Sequence, residues 1–327
     1  MDYEVKDCID AGTEYCPCHL AETGDCILCS QLSGKTFCDC INWKGVCIYQ
    51  EYILNGNKAN SMRKSCKCKV VKKEMPEENL IIYTLKAPHS VACNLTHPGS
   101  YIFARDPKTM EYYDTPLSIM EADTEENKLK IAIEKRGIKT KTICELNEGD
   151  GLLIRAPFWN GALGLKNIYN AKGGTSLIIC RGIGIAPGIP VIKKLHSNGN
   201  KIITILDSTP FKNIFGVEYL NMFKADVYNC ETLYQGSLSE EFKKLIISIL
   251  NTENINLIHC GGPDILIYEL LNFIDDSVKF SCCNNSKMCC GEGICGTCST
   301  RYRKHVVKRL CKVQVDPKYI FKGRRLI

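Results

Sequence analysis

The sequence predicts a multidomain protein that combines an all-β part with an α/β part. Its 327 residues exceed the size of one ordinary hydrophobic core, and a hydrophobic content of 45% is typical of a globular chain. In the middle of the chain, the spacing of apolar residues changes from alternation to short runs that are separated by helical stretches. The 22 cysteines concentrate at the two ends, with ten in residues 8–68 and seven in residues 282–311.

These patterns divide the chain into four segments. Residues 1–65 are predicted to form a small cysteine-rich cap, residues 66–160 an antiparallel β-barrel, and residues 161–276 a doubly wound domain with a parallel sheet. Residues 277–327 form a cysteine-rich C-terminal segment. The formal charge of +6 comes from Lys and Arg residues that are spread along the chain, so it does not indicate a nucleic-acid partner.

The N-terminal residues carry no recognisable targeting signal. They lack a basic stretch followed by an apolar run, and no apolar run in the chain approaches the roughly 18 residues that a membrane span needs. We therefore expect a cytoplasmic protein without a membrane span. In a reducing cytosol, clustered thiols are more often metal ligands or redox centres than disulfides.

The cap has too few aliphatic residues to bury a core, so metal binding is the expected source of its fold. Its two C-x-C pairs and one C-x2-C pair suit one or two 4Fe-4S clusters, or one or two zinc sites. Cys66 and Cys68, at the junction with the barrel, are either further ligands or linker thiols. The predicted metal ligands of the cap are Cys8, Cys16, Cys18, Cys26, Cys29, Cys38, Cys40 and Cys47.

The barrel and the parallel-sheet domain follow from the hydrophobic pattern. Short alternating apolar runs in residues 69–157 predict antiparallel strands. Further along, runs such as TSLIIC and KIITIL predict parallel strands, and SLSEEFKKLIISIL predicts a helix with Ser237 and Glu240 as a capping box. The first parallel strand runs into RGIGIAP, whose glycines either hold a dinucleotide pyrophosphate at the helix start or make a tight turn.

The C-terminal stretch MCCGEGICGTCS contains the most specific pattern in the chain. Three cysteines stand as C-x4-C-x2-C, and a fourth follows after twelve residues, which is the plant-type spacing for a 2Fe-2S cluster. Zinc is the alternative, although zinc loops usually pair two C-x2-4-C knuckles and only one is present here. Cys282, Cys283 and Cys289 are interpreted as buried or spare thiols. The predicted cluster ligands are Cys290, Cys295, Cys298 and Cys311.

In this order of segments, residues 66–327 resemble the electron-transfer subunits of bacterial dihydroorotate dehydrogenase, within the ferredoxin-NAD(P) reductase superfamily. Five stretches carry the resemblance and follow the order of that family. HPGSYIF is similar to its Pro-Gly-Gln-Phe barrel motif, and TPLSI is similar to its Arg-Pro-Leu-Ser-Ile flavin motif. The remaining three resemble the nicotinamide loop, the Cys-Gly-Pro near the nicotinamide and the cluster loop; they are RGIGIAP, HCGGP and MCCGEGICGTC.

The resemblance implies an NAD(P)H-dependent flavin and iron-sulfur oxidoreductase with FAD between the barrel and the nucleotide domain. Electrons would pass from NAD(P)H through FAD and the 2Fe-2S cluster to a partner oxidoreductase subunit, which contains FMN in that family, so a hetero-oligomer is expected. No catalytic side chain is assigned. The implied cofactor-binding residues are Pro116, Leu117 and Ser118 beside the flavin, Lys139 and Thr140 at a phosphate, Gly182, Gly184 and Pro187 in the dinucleotide loop, and Gly262 and Pro263 near the nicotinamide.

Three departures from the family pattern support an alternative. Thr115 stands where the family has the arginine of its flavin motif, so Lys139 in GIKT is either a replacement cation or a solvated lysine. Arg181 stands where the family has glycine, and it would either bind a phosphate or obstruct the dinucleotide. In HCGGP, either an extra glycine is inserted or the position of Cys260 is shifted relative to the family pattern. The alternative is a non-catalytic iron-sulfur subunit or redox-responsive adaptor that has lost flavin or nicotinamide binding.

Overall fold

A computed structural model describes residues 7–40, 46–303 and 306–321. The α-helices are α1 His19–Glu22, α2 Ile48–Leu54, α3 His89–Asn94, α4 Ile138–Cys144, α5 Leu165–Asn170, α6 Ile185–Ser197, α7 Val217–Met222, α8 Glu240–Thr252 and α9 Asp264–Phe273. The strands are β1 Ser65–Glu77, β2 Leu80–Lys86, β3 Tyr101–Arg105, β4 Thr115–Ser118, β5 Glu121–Asp123, β6 Lys128–Glu134, β7 Gly151–Phe158, β8 Ala162–Leu163, β9 Thr175–Arg181, β10 Lys201–Asp207, β11 Asp226–Asn229, β12 Leu233–Tyr234, β13 Ser237–Leu238, β14 Ile255–Gly261, β15 Phe280–Cys283, β16 Ser299–Tyr302 and β17 Val306–Arg309.

The first seven strands form the predicted antiparallel sheet, in the order β4-β3-β7-β1-β2-β6-β5. Its two edge strands are almost consecutive in sequence, because β4 ends at Ser118 and β5 begins at Glu121. Between them, the Met120 N–H donates to the Lys130 carbonyl of β6 at 2.9 Å. The sheet therefore curls so that its two edge strands come close together.

Alternation along these strands fills the inside of the barrel with apolar side chains. Tyr83 is fully buried there, and its hydroxyl lies 3.0 Å from the Ile143 carbonyl and 2.8 Å from the Leu146 carbonyl, which holds α4 against the barrel. Cys66 and Cys68 are part of β1, and Cys68 is completely buried in this core. The interpretation of these two cysteines as linker thiols is therefore wrong, because β1 begins one residue before them.

The second sheet has the order β11-β10-β9-β14-β15-β8. All neighbouring strands in it are parallel except the β15–β8 pair. The prediction of an antiparallel and a parallel sheet in one chain is thus confirmed. The strand order reverses between β9 and β14, and in such doubly wound sheets a crevice opens at the carboxyl ends of the two strands that flank the reversal.

Helices cover both faces of the parallel sheet. On one face α6 buries Ile189, Ile192 and Leu195, while on the other face α8 and α9 bury Phe242 and Leu266. The predicted capping box of Ser237 and Glu240 is wrong. The N-cap of α8 is Ser239, whose Oγ accepts a hydrogen bond from the Phe242 N–H at 3.1 Å, because Ser237 is used in the β12–β13 hairpin.

The N-terminal segment packs on the C-terminal segment. Cys8 forms an antiparallel bridge with Val313, the Ile9 N–H donates to the Lys312 carbonyl at 2.9 Å, and the Gln314 N–H donates to the Asp7 carbonyl at 2.7 Å. The two cysteine-rich ends of the chain are therefore neighbours. Among the described residues, no helix has both the length and the apolar character that a membrane crossing requires.

Candidate functional site

The four cysteines of the predicted 2Fe-2S site come together in the structure. The Cys311 thiol hydrogen-bonds to the sulfur atoms of both Cys290 and Cys298, and Cys295 hydrogen-bonds to Cys290. The bond from the Cys311 thiol and those from backbone N–H groups lower the pKa of Cys290, although burial acts in the opposite direction. Cys289, which was interpreted as a spare thiol, is exposed and contacts Cys295.

Backbone N–H groups point at these sulfur atoms. Cys290 Sγ accepts from the N–H groups of Glu292 at 3.3 Å and Cys295 at 3.5 Å, and Cys298 Sγ accepts from Cys311 N–H at 3.3 Å. The loop reaches this shape through glycines with positive φ, and at Gly291, where φ is +72°, a Cβ atom would lie 2.8 Å from the Phe103 ring. The donor set and the loop path fit an iron-sulfur cluster.

A buried network of four charged side chains surrounds this loop. Arg63 Nη2 lies 2.8 Å from Asp10 Oδ1, and Arg63 Nη1 lies 2.9 Å from Glu292 Oε2. Lys312 Nζ lies 3.0 Å from Glu292 Oε2 and is also paired with Asp10. None of the four side chains is more than 6% exposed. We call these residues the ion network.

The pairs within the ion network favour the charged forms of Asp10 and Lys312. Burial by itself would raise the pKa of Asp10, but Lys312 and Arg63 outweigh it and the net shift is downward. Burial would likewise lower the pKa of Lys312, but Asp10 and Glu292 raise it. Two positive and two negative charges therefore balance in a region that excludes water.

Sequence reasoning missed the ion network. Asp10, Glu292 and Lys312 each lie within two residues of a predicted cysteine ligand, and this proximity could have identified them from the sequence. No feature of the sequence identifies Arg63 as a member of the network. Its guanidinium lies 3.9 Å from the centre of the Tyr15 ring and 4.5 Å from that of Phe158, and its Nε donates to the Pro157 carbonyl.

The predicted flavin motif occupies β4, which pairs with β3 at the edge of the antiparallel sheet. Pro116 is exposed, Leu117 is buried in the barrel and Ser118 is half-buried. Lys139, at the start of α4, donates from Nζ to the Asp114 carbonyl at 3.3 Å, so it lies beside the first residues of β4. Thr140 caps its own helix, since its Oγ1 accepts from the Gly137 N–H at 3.2 Å.

Two arginines that the sequence did not single out converge on Asp114, the residue before β4. Arg105 of β3 lies 2.5 Å from one Asp114 oxygen and Arg155 of β7 lies 3.3 Å from the other. Arg105 Nε is buried and has no hydrogen-bond partner among the described residues. Thr115 thus lacks the family's positive charge, but Arg105 and Arg155 pair with the Asp114 carboxylate next to it, and Lys139 donates to the Asp114 carbonyl.

The predicted dinucleotide residues flank the strand reversal in the parallel sheet. Gly182, Gly184 and Pro187 follow β9, and Gly262 and Pro263 follow β14. A Cβ on Gly184 would overlap the Gly261 carbonyl and lie 2.9 Å from the Gly262 nitrogen, so the two loops touch through their backbones. Only glycine allows this approach.

Arg181 and Cys260 are both engaged within the fold. Arg181 Nη1 pairs with Asp207 and donates to Thr232 Oγ1 at 3.1 Å, so the guanidinium is held by the end of β10. Cys260 is completely buried, and burial raises the pKa of its thiol well above the ordinary value. Cys282 and Cys283 are buried as well, in agreement with their interpretation as buried thiols.

Of the eight predicted ligands of the N-terminal cap, Cys8 lies beside the C-terminal segment through its bridge with Val313. Cys38 and Cys40 are exposed, and the other six are partly buried. Within the described residues, no group of three or more His, Cys, Asp or Glu side chains is arranged around a position for a single metal ion.

Replacing Arg63 with methionine should destabilise the protein strongly. The change leaves Asp10 and Glu292 buried with only Lys312 between them, and breaking a buried ion pair from one side typically costs about 3–5 kcal/mol. The midpoint of urea unfolding checks this expectation. Lys243→Met is the control, because Lys243 pairs only with the 78% exposed Glu240 and should change stability by less than about 0.5 kcal/mol. Equal midpoints for both variants would contradict it.

Comparisons with known proteins agree with the geometry. No family model matches the chain. The electron-transfer subunit of dihydroorotate dehydrogenase B (NAD(+)) from Clostridium acetobutylicum is 27% identical over 219 residues, which cover 66% of this chain and 81% of that protein. The corresponding subunit from Fusobacterium nucleatum is 27% identical over 238 residues, which cover 70% of this chain and 88% of that protein.

Solved structures share the fold. An NADH-dependent reduced ferredoxin-NADP oxidoreductase, described in a study of flavin-based electron bifurcation, superposes with a TM-score of 0.63 at 20% identity and covers 79% of this chain and 87% of that one. Phthalate dioxygenase reductase gives a TM-score of 0.53 at 14% identity, over 77% of this chain and 96% of that one. The chain is therefore a relative of the dihydroorotate dehydrogenase B electron-transfer subunits, and its fold is that of the ferredoxin-NADP reductases.

Proposed function

We propose that the chain is an electron-transfer subunit that passes electrons from NAD(P)H through FAD and a 2Fe-2S cluster to a partner oxidoreductase. The observation that carries this proposal is the position of Arg155. Its Nη1 donates to the Cys290 carbonyl at 2.9 Å in the cysteine loop, while its guanidinium pairs with Asp114 at the start of the flavin motif. One side chain thus connects the two proposed redox sites.

The two cofactors supply complementary chemistry when bound: FAD accepts a pair of electrons from a nicotinamide, and a 2Fe-2S cluster carries electrons singly. The protein has to hold both groups close together and exclude water between them. Phe103 and Phe158 do so on the side of the barrel, since their rings are 5.0 Å apart and fully buried against the cysteine loop.

In the proposed flavin site, Pro116, Leu117 and Ser118 border the flavin ring, and the start of β4 receives the pyrophosphate. Arg105, Arg155 and Lys139 bring three positive charges to Asp114, and in this proposal they replace the arginine that Thr115 lacks. Thr140 supports this site by capping α4, the helix that carries Lys139.

In the proposed nicotinamide site, the backbone contact between Gly184 and Gly261 sets the shape of the crevice. Gly182 and Pro187 line one side of it, and Gly262 and Pro263 line the other side. Arg181 is held by Asp207, so its positive charge reaches a dinucleotide phosphate only when that pair opens.

The names of the relatives support a partner subunit, since they are electron-transfer subunits of a dehydrogenase. We propose a hetero-oligomer in which the partner contains FMN, as the resemblance implies. Cys290, Cys295, Cys298 and Cys311 hold the cluster, and Cys295 together with its neighbour Ile294, which is 53% exposed, lies at the surface. The N-terminal cap binds 4Fe-4S clusters or zinc.

Two observations favour a second candidate, a non-catalytic iron-sulfur subunit or redox-responsive adaptor. Arg181 is paired within the protein, and Cys260 is buried away from the crevice where the family places a cysteine. Both would follow if nicotinamide binding had been lost. Such a protein would keep the cysteine loop and would lack releasable FAD or the reaction with NAD(P)H.

Anaerobic reduction distinguishes the two candidates. The purified protein should contain releasable FAD, and its absorbance near the flavin maximum should bleach when NADH or NADPH is added under argon. Cys295→Ser should lose the C-terminal cluster but keep most of its NAD(P)H-to-dye activity, because Cys295 is exposed and is not one of the proposed flavin-binding or nicotinamide-binding residues. A protein with clusters but without FAD would establish the adaptor in place of the enzyme. Equal loss of cluster and dye activity in the variant would show that the cluster supports the whole fold.

Lys139→Ala should weaken FAD binding about tenfold, or about 1.4 kcal/mol, because a charge-assisted contact to the pyrophosphate is removed. Lys141→Ala is the matched control, since this exposed lysine lies on the same helix and has no counterpart in the motif. Titration of the flavin-free protein with FAD measures both dissociation constants. Identical constants for the two variants would show that Lys139 is a solvated lysine.

A further inference from the structure

The eight cysteines of the N-terminal cap divide into two groups, and each group lines its own cavity. The cavity of the first group is tight, about 20 Å³, and that of the second group is about 300 Å³. Each cavity wall contains four cysteines and none from the other group. The first group is Cys8, Cys16, Cys18 and Cys26, and the second group is Cys29, Cys38, Cys40 and Cys47.

The thiols within each group lie close enough to influence one another. In the first group, Cys18 interacts electrostatically with Cys8, Cys16 and Cys26. In the second group, Cys40 hydrogen-bonds to Cys38 and interacts with Cys47 and Cys29. Each C-x-C pair therefore belongs to one group, while the C-x2-C pair of Cys26 and Cys29 connects the two.

Backbone N–H groups point at these sulfur atoms, as they do at the C-terminal site. Cys26 Sγ accepts from the Cys29 N–H at 3.4 Å, and Cys47 Sγ accepts from the Gln50 N–H at 3.4 Å at the start of α2. Cys16 Sγ accepts from the Gly12 N–H. Such bonds stabilise thiolates, which are the form that binds metals.

The first group adjoins both the C-terminal cysteine segment and the second group. Cys8 of the first group bridges to Val313, two residues after Cys311, and Leu20 of α1 packs against Gly293 of the cysteine loop. The two N-terminal cavities share Leu28 and Ile48 as walls. The second group is outermost, with Cys38 and Cys40 exposed.

We infer that the cap holds two iron-sulfur clusters of the 4Fe-4S type, one in each four-cysteine group. This inference rests on the proposed electron-transfer function. Four thiolates per cavity is the ligand number of such a cluster. Zinc also accepts four thiolates, but zinc carries no electrons. A structural zinc would therefore not account for the position of these cavities next to another proposed redox site. A series of three adjoining sites suits successive electron carriers, and it gives the exposed second group as the exit to a partner.

Metal analysis of the full-length protein, purified under argon, tests the inference. The wild type should contain about ten iron atoms and about ten acid-labile sulfides per chain, without stoichiometric zinc. Cys18→Ala and Cys40→Ala should each lose about four iron atoms. Cys93→Ala, which changes a partly buried cysteine outside both groups, should lose none. The electron paramagnetic resonance spectrum of the dithionite-reduced wild type should contain two 4Fe-4S signals besides the 2Fe-2S signal. Because this spectrum needs no variant, it tests the inference even if a variant fails to fold.

Stoichiometric zinc in the wild type, or a single 4Fe-4S signal, would overturn the inference. So would loss of all N-terminal iron in both variants without loss of folding, because one shared site would then hold the metal. FAD content and NAD(P)H bleaching are measured on the same sample. Zinc together with FAD and bleaching would overturn only the assignment of the cap, whereas two 4Fe-4S clusters without FAD would overturn only the proposed function.

Discussion

The ion network of Asp10, Arg63, Glu292 and Lys312 is the interaction on which the arrangement of the redox sites depends. Asp10 and Arg63 come from the N-terminal segment, Glu292 from the cysteine loop and Lys312 from the stretch of chain that follows Cys311, and all four are buried. Arg63 also donates to the Pro157 carbonyl of β7 in the barrel. Each buried charge costs several kcal/mol to desolvate, so these segments have to assemble together for the charges to be paired. The network therefore makes the two cysteine-rich ends and the barrel a single structural unit.

A second group of charges continues this unit towards the flavin motif. Arg155 lies 3.9 Å from Glu292 of the ion network and pairs with Asp114, which also holds Arg105. A line of alternating charges thus runs from Asp10 to the first residues of β4. The cysteine loop and the flavin motif both contact this series of charged side chains. A shift of the loop would therefore disturb both proposed cofactor sites, and the contacts favour a fixed distance between the two sites.

The sequence was sufficient where the signal is local. Alternation gave the barrel strands, and the spacing of Cys290, Cys295 and Cys298 placed these thiols in one loop. The sequence was insufficient where interacting residues are far apart along the chain, since Asp10 pairs with Arg63 across 53 residues and with Lys312 across 302 residues. The missing arginine at Thr115 could be read from the motif, but Arg105 and Arg155 come from neighbouring strands whose pairing the sequence does not specify. The cap's cysteines divide in their order along the chain, the first four and the last four, but their spacing alone left open whether they form one site or two.

Hydrogen exchange on the anaerobically purified protein tests most directly whether the ion network couples the two cysteine-rich ends. In Arg63→Met, amides of residues 7–12 and of residues 290–298 should both exchange at least about tenfold faster than in the wild type. Amides of β9 and β10 in the nucleotide domain should be unchanged, because the network does not reach them. Faster exchange in only one of the two cysteine-rich segments, or in neither, would contradict the account.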